Sequence, residues 1–533
     1  MRPCLAALAS LLVAASAFAA APAFAKTLVF CSEGNPEALN PQLVTTTTGM
    51  NAARPMFDSL VEFEAGGARL VPGLAERWEI SQDGREYTFH LRPDVPFHSR
   101  DDFTPTRPMN AEDVLFSLER QWKEEHPFHH VSGGRYDYFK DNGMGELLES
   151  IEALDPITVR IRLTRPHAPF LATLADPFNA VLSAEYAAHL LENGTPEALD
   201  ERPIGTGPFV LVDYRADVAI RYRAFEDYWG GRQPIDRLVF SITPNPAVRL
   251  TKLRAGECHV MAFPDPADVA SIAEDPDLVL LEQEGLNIGY MAMNVTMEPF
   301  DDPRVRQAIS HAIDKQAIID TVYGGAGLAA KNPIPPTLWA YNDAIAPDAV
   351  DIDAAQRLLA EAGLADGFES ALWYMPVSRP YAPDGKRIAE MIQADLSKLG
   401  IRLELKTADW DAYRLTLQAG EAPMALFGWT GDNGDPDNFL NVLLGCTAAR
   451  PGGNNVAKWC HAQYDALVTR AREVSDQGER TALYHEAQEI VARERPWIPL
   501  AHSVVFMAAR KEVQGFVMDP LGRHLFKGVD LVQ

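Results

Sequence analysis

The chain contains no GxxxxGK[ST] phosphate loop, no GxSxG nucleophile elbow and no HExxH zinc helix. The first absence puts any ATPase on a different chain, and the other two remove the commonest routes to hydrolysis. There is no CxxC pair either, which weakens zinc and thioredoxin-like readings. Past the first 25 residues no apolar run is long enough to span a bilayer. Basic charge is scarce: 48 Lys and Arg against 74 Asp and Glu leave a formal charge of −26. That argues against nucleic acid or anionic membrane as a partner. Internal repeats and low-complexity tracts are also missing.

What remains is an ordinary globular composition, 47% apolar and 23% charged, on 533 residues. That length calls for two or three domains. The first 25 residues read as a signal peptide: Arg2, an apolar run over 5–21, and Ala23-Phe24-Ala25 as the small-x-small cleavage pattern. Cys4 precedes the apolar run, so it is not a lipoprotein cysteine. Cleavage after Ala25 leaves a soluble, exported chain starting at Lys26. That chain keeps Cys31, Cys258, Cys446 and Cys460, an even number for an oxidising compartment. Four cysteines allow three pairings. One of them closes a short loop between Cys446 and Cys460 and leaves Cys31 with Cys258.

Along the chain, 26–31 predicts a first strand. Residues 78–81 and 87–92 alternate on either side of Asp83-Gly84, a hairpin signal. Asn110 caps a helix, and 157–163 alternates as a half-buried strand. Glycines and prolines over 203–209 mark a domain boundary. Strand 238–242 and helix 246–255 follow, and a third region begins near Gly285. There Asp302 caps and Pro303 opens a helix, 388–399 forms an apolar helical face ended by Gly400, and 401–405 alternates as a strand. A last helix spans 481–495, ended by Pro496.

One stretch concentrates chemistry. After the apolar run 424–427, read as a buried strand, come Gly428-Trp429-Thr430-Gly431-Asp432-Asn433-Gly434-Asp435-Pro436-Asp437-Asn438-Phe439. Glycine admits close backbone approach, and Pro436 stops the strand. A carboxylate at such a break meets a cation sheltered from water, although an acidic surface turn uses the same residues. GDNGDPDN fails as a calcium loop: counted from Asp432, Pro436 falls at position 5 and Leu443 at position 12, where an oxygen ligand and a Glu are required. His126, His129 and His130 in HPFHH lack a recognised ligand spacing and read as a solvated loop. No metal and no cofactor are expected.

Seven segments follow one another along nearly the whole mature chain. They are KTLVFCSEGNPEALNPQ from Lys26, LAERWEISQDGREYTFHLR from Leu74, PIGTGPF from Pro203, FEDYWGG from Phe225, VRQAISHAIDK from Val305, YMPVSRPY from Tyr374 and GWTGDNGDPDNF from Gly428. In these the chain resembles the periplasmic solute-binding proteins of peptide ABC importers, extracellular solute-binding protein family 5, and their dipeptide-binding branch above all.

The resemblance implies an α/β, two-lobed periplasmic-binding-protein fold (type II, cluster C) with an extra subdomain in lobe one. Lobe one would combine 26–58, 207–284 and 504–533, with 59–206 as the extra subdomain and 285–503 as lobe two. A Cys31–Cys258 bridge would then join two pieces of one lobe. The function implied is capture of dipeptides or short peptides in the cleft, not catalysis. Asp432 matches the family carboxylate that takes the peptide ammonium, and Arg379 the arginine that takes its carboxylate. Tyr381, Trp429, Thr430, Gly431, Thr45 and Thr47 would surround the ligand, while Asp435 and Asp437 would shape the loop.

Physical chemistry agrees with that division of labour. A dehydrated zwitterion needs an opposite charge at each end, because an unpaired buried charge is costly. A planar guanidinium suits a carboxylate. The implied partners are a dipeptide and an inner-membrane ABC permease with separate ATPase subunits, the receptor itself being a periplasmic monomer. Relatives that bind haem, 5-aminolevulinate, glutathione, nickel complexes or longer peptides offer the alternatives, and a secreted hydrolase is the remote one.

Overall fold

The computed structural model describes residues 25–532. The expected leader and Cys4 therefore lie outside the described residues, apart from Ala25. A single strand, Trp497–Arg510, organises the molecule because both halves of the main sheet are built on it. Its first part pairs antiparallel with Asn287–Met293. Beyond that partner lie Met424–Thr430, then Glu369–Trp373 and Arg402–Lys406, the last two parallel. Its second part pairs with Leu278–Glu284 and Val260–Ala262. From Val260–Ala262 the sheet continues through Thr27–Ser32, Arg237–Ile242, Ala219–Ala224 and Phe209–Arg215.

The chain thus crosses between the halves twice, at 285–286 and within Trp497–Arg510 near Ser503. The first is a two-residue break between strands with a bend at Leu286 and the second is continuous strand; short connections of this kind are where two bodies hinge. A separate antiparallel sheet of Ala75–Ile80, Glu86–Leu91, Thr158–Leu163 and Leu148–Asp155 packs with its own helices. One face of that hairpin sheet is buried and the other wet: Tyr87, Phe89 and Leu91 are inside while Glu86, Thr88 and His90 are half-exposed.

Local chemistry accounts for the element ends. Asn110 accepts from Glu112 N at 2.9 Å while Asp113 Oδ2 accepts from Asn110 N at 2.9 Å, closing a capping box on the helix Ala111–Trp122. Asp302 accepts from Arg304 N at 2.8 Å at the head of Pro303–Ala312. Disulfides join Cys31 to Cys258, with Cα atoms 5.8 Å apart, and Cys446 to Cys460, 4.5 Å apart.

Three expectations are corrected. The last helix starts at Gln477 rather than 481, because Asp476 caps it by accepting from Glu479 N at 2.8 Å. HPFHH is not simply a solvated loop: His129 is buried, its Nδ1 2.8 Å from Arg120 O. Pro436 does not end the strand, which stops at Thr430; it instead precedes the helix Asp437–Leu444.

Candidate functional site

A cavity of ≈ 330 Å³ opens between the two halves of the molecule. One wall comes from Thr45, Thr47, Tyr138, Phe263 and Gly522, the other from Arg379, Tyr381, Trp410, Trp429, Thr430 and Asp432. The sequence-predicted acid and guanidinium therefore line the same cavity. No ion pair joins them to each other among the described residues.

Asp432 gets its position from the end of Met424–Thr430 and from Asn438. That strand is buried from Met424 to Gly428 and opens only at Trp429 and Thr430. Asn438, in the first turn of the next helix, accepts from Trp429 Nε1 at 2.9 Å and from Asp432 N at 3.0 Å. Its Nδ2 donates to Asp432 Oδ2 at 3.1 Å. Tyr138, from the opposite wall, donates to Asp432 Oδ1 at 3.4 Å. Burial pushes the Asp432 carboxyl up to about 6, against the pull of Asn438, Tyr138 and the Arg54 charge. A carboxylate that is uncomfortable alone gains most from a cation.

Arg379 is placed by Tyr381. Gly289 and Gly428 face each other across two strands, and a Cβ at the first would run into Tyr381 O, at the second into its ring. The glycine pair is the seat on which Tyr381 packs. Tyr323 Oη then donates to Tyr381 O at 2.7 Å, and Arg379 exchanges backbone bonds with Ala382 at 3.1 and 2.9 Å. The guanidinium lies over the Trp410 ring, 5.2 Å from its centroid.

The other predicted residues fall as follows. Thr45 Oγ1 donates to Glu37 Oε1 at 3.2 Å and accepts from Arg414 Nη1 across the cleft at 3.2 Å. Thr47 is exposed at the start of the helix Thr47–Ala53. Gly431 does not line the cavity: its N–H donates to Leu286 O at 2.7 Å, and a Cβ there would meet Leu286 and Phe439 at 2.7 Å. Asp435 pairs with Arg480 at 2.7 Å and Asp437 with Arg472 at 3.2 Å, behind the site. Sequence reasoning missed Tyr138, Trp410, Arg414 and Asn438. Only Asn438 carried a signal, an amide three residues into a run that follows a turn.

The model of the bacterial extracellular solute-binding proteins, family 5 middle region, matches residues 69–451. The chain belongs to that family. It is 50% identical over 513 residues to the dipeptide-binding protein of Escherichia coli K12, covering 96% of each chain. It is 48% identical to haem-binding protein A of Haemophilus influenzae, covering 95% of this chain and 92% of that one. A Pseudoalteromonas dipeptide-binding protein, solved with Met-Leu, superposes with a TM-score of 0.90 at 37% identity, over 95% of this chain and 100% of that one. The fold of this family 5 member is accordingly the two-lobed α/β fold of the periplasmic binding proteins. None of its described helices is long and apolar enough to cross a membrane.

Proposed function

We propose that this protein is a periplasmic receptor that closes on dipeptides and other short peptides and hands them to an ABC permease driven by separate ATPase subunits. The observation that carries the reading is the unpaired acid and unpaired guanidinium in one cavity. Asp432 takes the ammonium and Arg379 the carboxylate. An extended dipeptide spans about 7 Å, so charges fixed at both ends select for length as well as for charge. Thr45, Thr47, Trp429, Thr430 and Tyr381 line the space between or beside them.

The two strand crossings support lobe boundaries at 26–58, 207–284 and 504–533 for lobe one and 285–503 for lobe two, with 59–206 as the extra subdomain. Closure needs contacts made only in the closed form, and Tyr138–Asp432 and Thr45–Arg414 are contacts of that kind.

Among the described residues no serine, cysteine, histidine or methionine lines the cavity. That favours capture over hydrolysis. It also speaks against the second reading, haem binding, whose support is the Haemophilus relative. Histidine, cysteine and methionine are the usual axial ligands; of the two described tyrosines that line the cavity, Tyr138 has its hydroxyl bonded to Asp432, which leaves Tyr381 as the one oxygen ligand for that reading. Calorimetric titration with a dipeptide, its N-acetyl form and its C-terminal amide tests the peptide reading. Only the free zwitterion binds tightly, and the recovered dipeptide is intact. Equal binding of all three would overturn it.

A further inference from the structure

Beside the main cavity is a second space of ≈ 20 Å³, which shares Thr47, Tyr138, Thr430, Asp432 and Gly522 with it. This is room for one water-sized group, which is also the size of an ammonium. Asp176, from the loop after the helix Phe170–Leu174, also lines it. Asp176 is 2% exposed. Its Oδ2 accepts from Asn433 Nδ2 at 3.4 Å, while no donor among the described residues reaches Oδ1. A buried carboxylate oxygen without a donor is costly.

The charges around this space do not balance. Asp176 and Asp432 supply two carboxylates. Arg54 is the one cation that lines it among the described residues, and its Nε finds no acceptor. Arg523, farther off, is already bound to Asp519 at 2.5 Å. Tyr138 is a neutral donor there. With both acids ionised, one negative charge is left over.

We propose that Asp176 is the second carboxylate of the ammonium subsite, so that a bound peptide's terminal ammonium bridges Asp176 and Asp432 and latches the extra subdomain against lobe two. The inference rests on the ammonium reading of Asp432. In the empty closed form the two carboxylates repel each other unless they hold a proton. Burial, and then the charge of Asp432, hold the Asp176 carboxyl well above the ordinary carboxylate range. The arriving ammonium takes the proton's place, and the proton leaves to the buffer. Closure is thereby favoured by ligands with a free amino terminus.

The test is calorimetry of Asp176→Asn with Gly-Leu and with acetyl-leucine, the same molecule without its amino group. Gly-Leu affinity falls about 10- to 100-fold, the range for one charge-assisted hydrogen bond, while acetyl-leucine affinity stays within about twofold. Titration of the parent at pH 7.5 in two buffers of different ionisation enthalpy shows proton release on Gly-Leu binding, and Asp176→Asn shows none. Unchanged Gly-Leu affinity in Asp176→Asn, or release that persists in it, overturns the proposal. If that variant does not fold, absence of release from the parent does so alone. Normal Gly-Leu binding by Asp432→Asn would mean that the ammonium reading itself has failed, whereas normal binding by Asp176→Asn only would sink this inference and leave that reading standing.

Discussion

The Tyr138 hydroxyl donates to Asp432 Oδ1 at 3.4 Å across 294 positions of sequence. It is both a part of the cavity wall and a tie between the two walls of the cavity. Tyr138→Phe removes the tie without emptying the space, so dipeptide affinity drops by about three- to tenfold, the scale of one modest hydrogen bond. The loss appears chiefly in the dissociation rate, which stopped-flow displacement measures.

Burial of Asp432 sets two opposite pH trends. Its carboxyl, near 6 in the folded protein, binds a proton more readily there than in the unfolded chain. Between the unfolded value and about 6 the folded state therefore holds more protons, and the ligand-free fold loses stability as pH rises through that window. Ligand capture runs the other way, since it needs the ionised acid and weakens as pH falls through about 6. Thermal melts of the parent and Asp432→Asn check both. The variant melts higher than the ligand-free parent at pH 7.5, by about 2 °C or more, and gains a smaller rise from dipeptide than the parent does.

Arg379 lies over Trp410 at 5.2 Å, which holds the planar fork in a defined orientation. Arg379→Lys keeps the charge and loses the fork and the stacking. Affinity for a free dipeptide falls about tenfold or more, at 1.4 kcal/mol per decade. Affinity for the C-terminal amide, which has no carboxylate to hold, changes little. Competition titrations with the two ligands separate these outcomes.

The loop that carries Asp432 is braced from behind by a buried pair. Arg480 donates to Asp435 Oδ1 at 2.7 Å and to Ala471 O at 2.9 Å, and lies over the Trp339 and Tyr484 rings. Both partners are nearly inaccessible, 8% and 11% exposed. Asp435→Ala leaves a buried guanidinium uncompensated and costs about 3–5 kcal/mol, read from urea unfolding. Cleavage of the Cys446–Cys460 bridge, which closes a loop of 14 positions, costs about 3 kcal/mol on the same assay.

Much of this was legible one segment at a time. Alternation around Asp83-Gly84 placed a hairpin that pairs Ala75–Ile80 with Glu86–Leu91, and the apolar run 424–427 placed the strand that ends at the site. That Asp432 and Arg379 line one cavity was legible through the motifs around them. The helix Asp437–Leu444 was not, because Pro436 ends a strand pattern as readily as it opens a helix. Tyr138, Asp176 and Arg414 left no local mark. What makes them matter is proximity to residues hundreds of positions away, and no periodicity encodes that. His129 was misread for the same reason: its burial is decided by Arg120 and Tyr136, not by its polar neighbours.

A cycle that pairs a protein change with a ligand change decides whether a peptide's ammonium rests on Asp432. Parent and Asp432→Asn are each titrated with a dipeptide and with its N-acetyl form. Acetylation should weaken binding strongly in the parent and much less in Asp432→Asn, a coupling of about 2 kcal/mol or more. An equal loss in both proteins would show that the ammonium and the carboxylate never meet.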